Sequence, residues 1–123
     1  MNLLLDTHIA IWSATNSKRL SHSARKFMER ASILYISAAS IWEMSLKSRK
    51  LKIDVPQLVE GFAATGVREL PITWEHAIRS DEIAMGHPDP FDRLLLAQAI
   101  HEPMHLLTSD ASLARYSDNV IEV

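Results

Sequence analysis

The stretch MNLLLDTHIAIW, residues 1–12, decides the fold because a short apolar run ends in a single carboxylate directly before a helical pattern. The unbroken run Leu3–Leu5 is typical of a strand that is buried on both faces of a parallel sheet. Asp6 follows this run, and residues 9–12 predict the start of a helix. This order places Asp6 at the carboxyl edge of a sheet, where open α/β proteins bind ligands. Asp is also a preferred N-cap residue, so a purely structural role at the start of the helix stays open.

The composition is that of an ordinary globular domain and argues against several kinds of site. A chain of 123 residues has the size of one domain, and we expect residues 1–123 to form a single unit. The net charge of −2 argues against nucleic-acid binding through a bulk positive field, so such binding needs a local basic patch or a metal. The lack of cysteine excludes disulfides and thiolate metal sites and fits a cytoplasmic protein. We expect no signal peptide, no membrane span and no Gly-rich phosphate loop.

Strand-like and helix-like segments alternate along the rest of the chain. Strands are predicted at residues 33–36, 67–72, 105–107 and 120–123. Helices are predicted at 23–31, from Ser37 or Ser40 to about Lys50, and at 57–65, 74–84, 91–100 and 111–115, with a rigid loop at 86–90. Alternating elements of these lengths predict a three-layer α/β/α domain around a central, mostly parallel sheet with right-handed crossovers.

Acidic residues recur where strands end or helices begin, and each has a structural explanation when it is taken alone. The acids of interest are Asp6, Glu43, Asp92 and Asp110. Glu43 fits a capping box with Ser40, or an ion pair with Lys47 one turn further on. Asp92 falls in the first turn of a helix, where a negative charge is favourable, and Asp110 has the position of an ordinary N-cap.

Taken together, the acids favour a metal site. All of them are predicted near one edge of a parallel sheet, and carboxylates that converge in a partly desolvated cleft repel one another unless a cation neutralises them. Oxygen ligands without cysteine suit Mg²⁺, with Mn²⁺ as the second choice. Carboxylates that hold such ions are used for phosphate chemistry, in which the ions activate water and stabilise the reacting oxygens.

Four segments in this order resemble the PIN-domain family, and most closely its VapC-type toxins from prokaryotic toxin–antitoxin pairs. The segments are LLLDTHIAIW, ISAASIWEMSLKSRKLKI, HPDPFDRLLLAQA and LLTSD. The third is the most specific, and the resemblance extends from Leu3 to about Asp110. It implies a PIN-like α/β/α nuclease domain whose acidic site comprises Asp6, Glu43, Asp92 and Asp110.

The resemblance also implies an activity and partners. The activity is a metal-dependent endoribonuclease that hydrolyses RNA phosphodiester bonds. Attack by water would leave a 5′-phosphate and a 3′-hydroxyl. The implied partners are the RNA substrate, a second copy of the chain in a homodimer, and a cognate antitoxin that covers the site. A basic side chain of the antitoxin would replace the metal as counter-charge.

Several polar neighbours of the acids have two interpretations. The hydroxyls of Thr7 and Thr108 would orient the acids, or they are simple caps. Lys47 lies on the same helical face as Glu43 and would contact an RNA phosphate or keep Glu43 ionised. Arg93 would steady a phosphate or face solvent. Asp89 is interpreted as a cap that fixes its loop, with a contact to the metal as the alternative.

Nearby aromatic and histidine side chains have weaker signals. His8 and His87 flank the predicted site, but neither lies at a spacing that demands acid–base chemistry. Trp12, Trp42 and Phe91 fit apolar patterns and are interpreted as core or interface residues, not as platforms for base stacking.

Two other classes of protein fit part of the pattern. A receiver-like signalling module also uses Mg²⁺ and acids at strand ends, but it needs an Asp after its third strand and a Lys at the end of its last. Here the third predicted strand is followed by Thr73 and Trp74, and the last contains no lysine. The other alternative is a catalytically silent module of the same fold that binds RNA or an antitoxin, against which the retention of all four acids argues.

Overall fold

The predicted alternation of strands and helices is confirmed in the computed structural model, which describes residues 1–83 and 86–123. The strands are β1 (Asn2–Leu5), β2 (Ile33–Ser37), β3 (Arg68–Leu70), β4 (His105–Thr108) and β5 (Val120–Glu122). The helices are α1 (Thr7–Ala14), α2 (His22–Arg30), α3 (Ala38–Leu46), α4 (Ser48–Leu51), α5 (Val55–Ala64), α6 (Trp74–Glu82), α7 (Pro90–His101) and α8 (Ala111–Ala114).

The sheet has the strand order β3-β2-β1-β4-β5, and its described strand pairs are all parallel. The chain builds outward from β1 through β2 to β3, and then crosses to the other side of β1 with β4 and β5. This reversal makes the carboxyl ends of β1 and β4 a topological switch point, where open α/β sheets bind ligands. The N–H of Asp6 donates to the carbonyl of Leu107 at 3.0 Å, which ties these two strand ends together.

Helices cover both faces of the sheet, which explains the unbroken apolar run in β1. Leu3, Leu4 and Leu5 are each 0% exposed. Leu3 and Leu5 pack against apolar residues of α1, α2 and α5, whereas Leu4 packs against α7 and α8 on the opposite face. The predicted three-layer α/β/α architecture is therefore confirmed.

The helix that the sequence predicts to extend to about Lys50 is divided in two. It ends at Leu46, and Lys47 has φ −105° and ψ 8°, outside the helical range. The N–H of Lys47 is shared between the carbonyl oxygens of Glu43 at 3.1 Å and Met44 at 3.2 Å, which tightens the last turn. The basic run that follows conceals this break because lysine and arginine are good helix formers.

Ser37 and not Ser40 begins α3, and the predicted capping box between Ser40 and Glu43 is wrong. The Ser37 side chain accepts a hydrogen bond from the second residue of the helix at 3.0 Å. Ser40 lies inside the first turn, and its hydroxyl oxygen accepts a hydrogen bond of 2.9 Å from Thr7 in α1. This contact joins α1 to α3 beside the carboxyl edge of the sheet.

A capping box forms instead at the start of α6. The Thr73 hydroxyl accepts the N–H of His76, and His76 Nδ1 accepts the N–H of Thr73. His76 is fully buried, and its Nε2 lies 2.6 Å from a carboxylate oxygen of Glu102 just beyond α7. These contacts join α6 to the far end of α7 as an antiparallel pair.

The segment between α6 and α7 differs slightly from its prediction. Helix α6 ends at Glu82, and the predicted end at Ala84 lies outside the described residues. Pro90 belongs to α7 as its first residue and not to the preceding loop, which suits a residue whose missing N–H would have no helical partner. None of the helices in the described ranges is long and apolar enough to span a membrane.

Candidate active site

Three acids at the carboxyl edge of the sheet are helix caps, as their positions in the sequence allowed. The side chain of Asp6 caps α1, that of Asp89 caps α7 and that of Asp110 caps α8. Asp92 lies in the first turn of α7, and Glu43 reaches the same region from α3. Capping and convergence therefore occur together, because α1, α3 and α8 directly follow parallel strands and α7 begins beside them after the loop that follows α6.

Asp6 is buried, with 5% of the residue exposed, at the end of the central strand. Its Oδ1 accepts the N–H of His8 at 2.7 Å, and its Oδ2 accepts the hydroxyl of Thr108. Burial raises the pKa of Asp6, and the hydrogen bonds from Thr108 and His8 oppose this shift. The carboxylate is therefore held in a fixed orientation, although burial disfavours its charged form.

Thr108 connects two acids from opposite ends of the chain. Its hydroxyl donates to Asp6, and its oxygen accepts the N–H of Asp110 at 3.0 Å. Thr108 is fully buried at the end of β4. These direct contacts agree with the predicted orienting role of Thr108. The hydroxyl of Thr7, by contrast, donates to Ser40 and not to an acid.

Glu43 is a buried carboxylate that is paired with a lysine. The residue is 4% exposed, and its Oε2 lies 2.7 Å from Lys47 Nζ. The hydrogen bond to Glu43 raises the pKa of Lys47, and the negative charges of Asp89 and Asp92 add to this effect. The ammonium group therefore lies in the field of acids that belong to two different helices.

Asp92 shows that the acids lie within electrostatic range of one another. Its pKa is raised to about 7, first by burial and then by the charges of Asp89, Asp6, Asp110 and Glu43, in that order. A carboxyl group that ionises near neutral pH is unusual, because like charges in a desolvated cleft disfavour the ionised form. The fold brings all four predicted acids together with Asp89.

Asp110 is more exposed and is oriented by Ser112. Its Oδ1 accepts the Ser112 N–H at 2.9 Å and the Ser112 hydroxyl at 2.7 Å. These hydrogen bonds hold the pKa of Asp110 below its ordinary value. The other carboxylate oxygen, Oδ2, makes no hydrogen bond to the described residues.

Arg93 and Asp89 organise the loop before α7. A guanidinium N–H of Arg93 donates to the carbonyl of His87 at 3.1 Å, so Arg93 supports the loop instead of facing solvent freely. The carboxylate of Asp89 accepts the N–H of Phe91 at 2.9 Å, which is the predicted capping role. A contact of Asp89 with a metal, or of Arg93 with a phosphate, stays a prediction.

The histidines and aromatic residues differ in their placement. His8 is exposed, whereas His87 is buried and contacts both Ser112 and the backbone of Asp89. Trp42 is 59% exposed and makes an edge contact with Phe91 at 5.3 Å, so the interpretation of Trp42 as a core residue is wrong. Its interpretation as an interface residue stays a prediction.

Sequence analysis missed the contribution of His87 and Ser112 to the site. The nearest ligand atoms of His87, Asp92 and Asp110 all lie within 4.8 Å of one another. Ser112 lies two residues after the capping Asp110, and this spacing allows its N–H and its hydroxyl to donate to the same carboxylate. No spacing in the sequence connects His87 to it, because 25 residues separate them.

The donor set fits a hard divalent cation. Every acid that raises the pKa of Asp92 offers carboxylate oxygens, which are the ligands that Mg²⁺ and Mn²⁺ prefer. Burial is the largest cause of this pKa shift, and a bound cation would relieve the repulsion between carboxylates that adds to it. A parallel α/β domain with convergent carboxylates at its switch point therefore defines a class of protein with an acidic, cation-compatible active site.

Comparison with known proteins identifies this class. The family model described as PIN domain matches residues 3–119. A curated relative, Ribonuclease VapC22 of Mycobacterium tuberculosis, is 32% identical over 115 residues, which cover 90% of this chain and 88% of the relative. The chain belongs to the PIN-domain family, as its sequence motifs predicted.

Solved structures share the fold at low sequence identity. VapC20 of Mycobacterium tuberculosis, described as a sarcin-ricin loop cleaving toxin, has a TM-score of 0.72 at 15% identity over 98% of both chains. A chain from the DNA-bound VapBC structure of Salmonella typhimurium also has a TM-score of 0.72, at 18% identity over 100% of this chain and 97% of that chain. These similarities show that the PIN fold extends over the whole chain.

Proposed function

We propose that this chain is a divalent-cation-dependent endoribonuclease that hydrolyses RNA phosphodiester bonds through Asp6, Glu43, Asp92 and Asp110. The observation that carries the proposal is the convergence of carboxylates from separate elements beside Asp92, whose pKa is raised to about 7 by burial and by their charges. The similarity to Ribonuclease VapC22 and to the sarcin-ricin loop cleaving toxin VapC20 supports the choice of RNA as the substrate.

The four acids would hold Mg²⁺, or Mn²⁺ in its place, and this cation would supply the acidification of water and the neutralisation of phosphate charge on which hydrolysis depends. Thr108 holds the carboxylate of Asp6 and the backbone of Asp110 in a fixed relative position. Lys47, whose charge balances Glu43, also lies where it can contact an incoming phosphate. Attack by water leaves a 5′-phosphate and a 3′-hydroxyl on the RNA fragments.

The chain acts as one nuclease domain and as the toxin of a toxin–antitoxin pair. Its structural relatives include VapBC and FitAB complexes, which supports a homodimer with a cognate antitoxin that covers the acidic site. Large exposed apolar side chains, among them Trp74 at 91% and Ile78 at 60%, offer surface for protein partners. We propose that the chain acts in the cytoplasm, where the proposed RNA substrate is found.

The test is cleavage of single-stranded and structured RNA by purified protein with Mg²⁺, with Mn²⁺ and with EDTA. Asp6→Asn removes the charge of the central acid but keeps an N-capping side chain. Asp81→Asn, on the exposed surface of α6, is the matched control. We expect EDTA-sensitive cleavage that Asp6→Asn abolishes and Asp81→Asn retains, with ends that a ligase requiring 5′-phosphate accepts.

Two results would contradict the proposal. Products with a 2′,3′-cyclic phosphate would refute attack by water. A chain that cleaves no RNA, and whose thermal stability does not respond to Mg²⁺ or Mn²⁺, would show that the acids serve only as caps.

A further inference from the structure

We propose that His87 is a positioning residue of the acidic site, which acts as a neutral imidazole that joins the starts of α7 and α8 and so fixes Asp92 and Asp110 relative to each other. The proposal rests on the proposed function only in taking these two acids as cation ligands. The contacts of the ring determine its role.

One ring nitrogen of His87 is committed as an acceptor. The backbone N–H of Asp89 points to Nδ1 at a distance of 3.2 Å. A backbone amide can only donate, so Nδ1 carries a lone pair and the proton of the neutral ring lies on Nε2. The contact fixes the residue that caps α7, two positions after the histidine.

The other nitrogen begins a directed chain of hydrogen bonds towards Asp110. Nε2–H donates to the hydroxyl oxygen of Ser112 at 3.2 Å, and this hydroxyl donates to Asp110 Oδ1 at 2.7 Å. Every donor in this chain has one acceptor, and every direction agrees with the neutral Nε2–H form. Asp110 is thereby held through Oδ1, which leaves Oδ2 for a cation.

The same geometry decides against a direct role of His87 as a ligand. Nε2 lies 3.9 Å from Asp92 Oδ2, and the three residues form a group with the spacing of a metal site. Ligation through Nε2 would need a lone pair on that atom and would move the proton to Nδ1, where it would face the N–H of Asp89. The ring therefore serves the site through hydrogen bonds and not through its own lone pair.

The surroundings of the ring hold it in this orientation. His87 is 5% exposed, and its ring packs against the ring of Tyr116 in a T-shaped contact with 5.7 Å between the ring centroids. Arg93 binds the carbonyl of the same residue from α7. A buried ring with contacts on both nitrogens, one face and its backbone has little freedom to rotate.

The first test reads the tautomer directly. Long-range ¹H–¹⁵N correlation spectra of the full chain distinguish the protonated from the unprotonated ring nitrogen of His87. We expect the Nε2–H form without metal and the same form after addition of Mg²⁺. An Nδ1–H form, or a change of tautomer when Mg²⁺ is added, would overturn the proposal in favour of direct ligation.

The second test breaks the chain at each end and measures the affinity for Mn²⁺ without RNA. His87→Asn keeps an acceptor for Asp89 but cannot reach Ser112, and Ser112→Ala removes the hydroxyl from the other side. Loss of such outer contacts weakens metal binding by about 10-fold or more. We expect a similar loss in both variants, no further loss in the double variant, and unchanged affinity in Ser80→Ala, which removes a hydroxyl on α6 that donates to the carbonyl of Ala77.

A merely structural role gives a different pattern. It would lower the melting temperature of the His87 and Ser112 variants and leave their Mn²⁺ affinity unchanged, and independent losses that add in the double variant would also contradict the proposal. A wild-type chain that binds no Mn²⁺ would contradict the proposed function instead, and the tautomer recorded without metal would still decide the state of His87.

Discussion

Replacement of Asp92 by asparagine is expected to stabilise the metal-free protein while removing its activity. The Asp92 side chain is 17% exposed, and its pKa is about 7 in the folded chain against an ordinary value of 3.8. Each pKa unit corresponds to about 1.4 kcal/mol, so ionisation of Asp92 costs the folded state about 4 kcal/mol above pH 7. Asparagine has nearly the same shape and carries no charge.

The pH dependence follows from the direction of this shift. Between about pH 4 and pH 7 the folded state binds more protons at Asp92 than the unfolded state does, so the contribution of Asp92 to the free energy of unfolding falls as the pH rises. Well below pH 4 the carboxyl group is protonated in both states, and the electrostatic difference between wild type and variant disappears.

Urea unfolding in EDTA at pH 8 and pH 4 measures this effect. We expect Asp92→Asn to raise the free energy of unfolding at pH 8 by about 2–4 kcal/mol, which allows for loss of a favourable charge at the start of a helix. The melting temperature should rise by roughly 10 °C. Asp81→Asn, on the surface of α6, is the control and should change little. A loss of stability at pH 8, or an equal gain at pH 4, would refute the electrostatic explanation.

Three further changes test separate contacts. Lys47→Met removes the ammonium group that lies 2.7 Å from Glu43 Oε2 and competes with a cation for this carboxylate. Calorimetry should therefore show several-fold tighter Mn²⁺ binding. Weaker binding would contradict this explanation. Thr108→Val breaks the link between Asp6 and Asp110 and should weaken Mn²⁺ binding about 10-fold, whereas Thr108→Ser should retain it. His76→Ala removes a buried ring and its capping contact. The free energy of unfolding in urea should fall by about 2–4 kcal/mol. A loss below about 1 kcal/mol would show that the capping box matters little.

The sequence predicted the fold well because each local signal agreed with the global one. The run Leu3–Leu5 is apolar at every position, which only a sheet covered on both faces can bury. Asp6 and Asp110 carried two signals, for a cap and for a ligand, and the structure shows the capping contacts while bringing both acids to one edge. Parallel topology made that convergence predictable, because all strands end on the same side.

The errors came from features that have no local pattern. The break at Lys47 lies in a run of good helix formers, and it arises from a shared hydrogen bond that composition does not reveal. The core alternative for Trp42 is wrong because an exposed tryptophan has the same sequence context as a buried one. The chain from His87 through Ser112 joins residues that are distant along the sequence, so only the folded structure brings them together.

The link between Asp6 and Thr108 spans 102 positions of the sequence and governs when during synthesis the site can exist. The central strand β1 leaves the ribosome well before its neighbour β4 and the start of α8. At a synthesis rate of about 5–20 residues per second, roughly 5–20 seconds pass between the synthesis of Asp6 and that of Asp110. Incomplete chains released before Asp110 therefore lack one carboxylate of the proposed nuclease centre, and we expect such chains to be inactive.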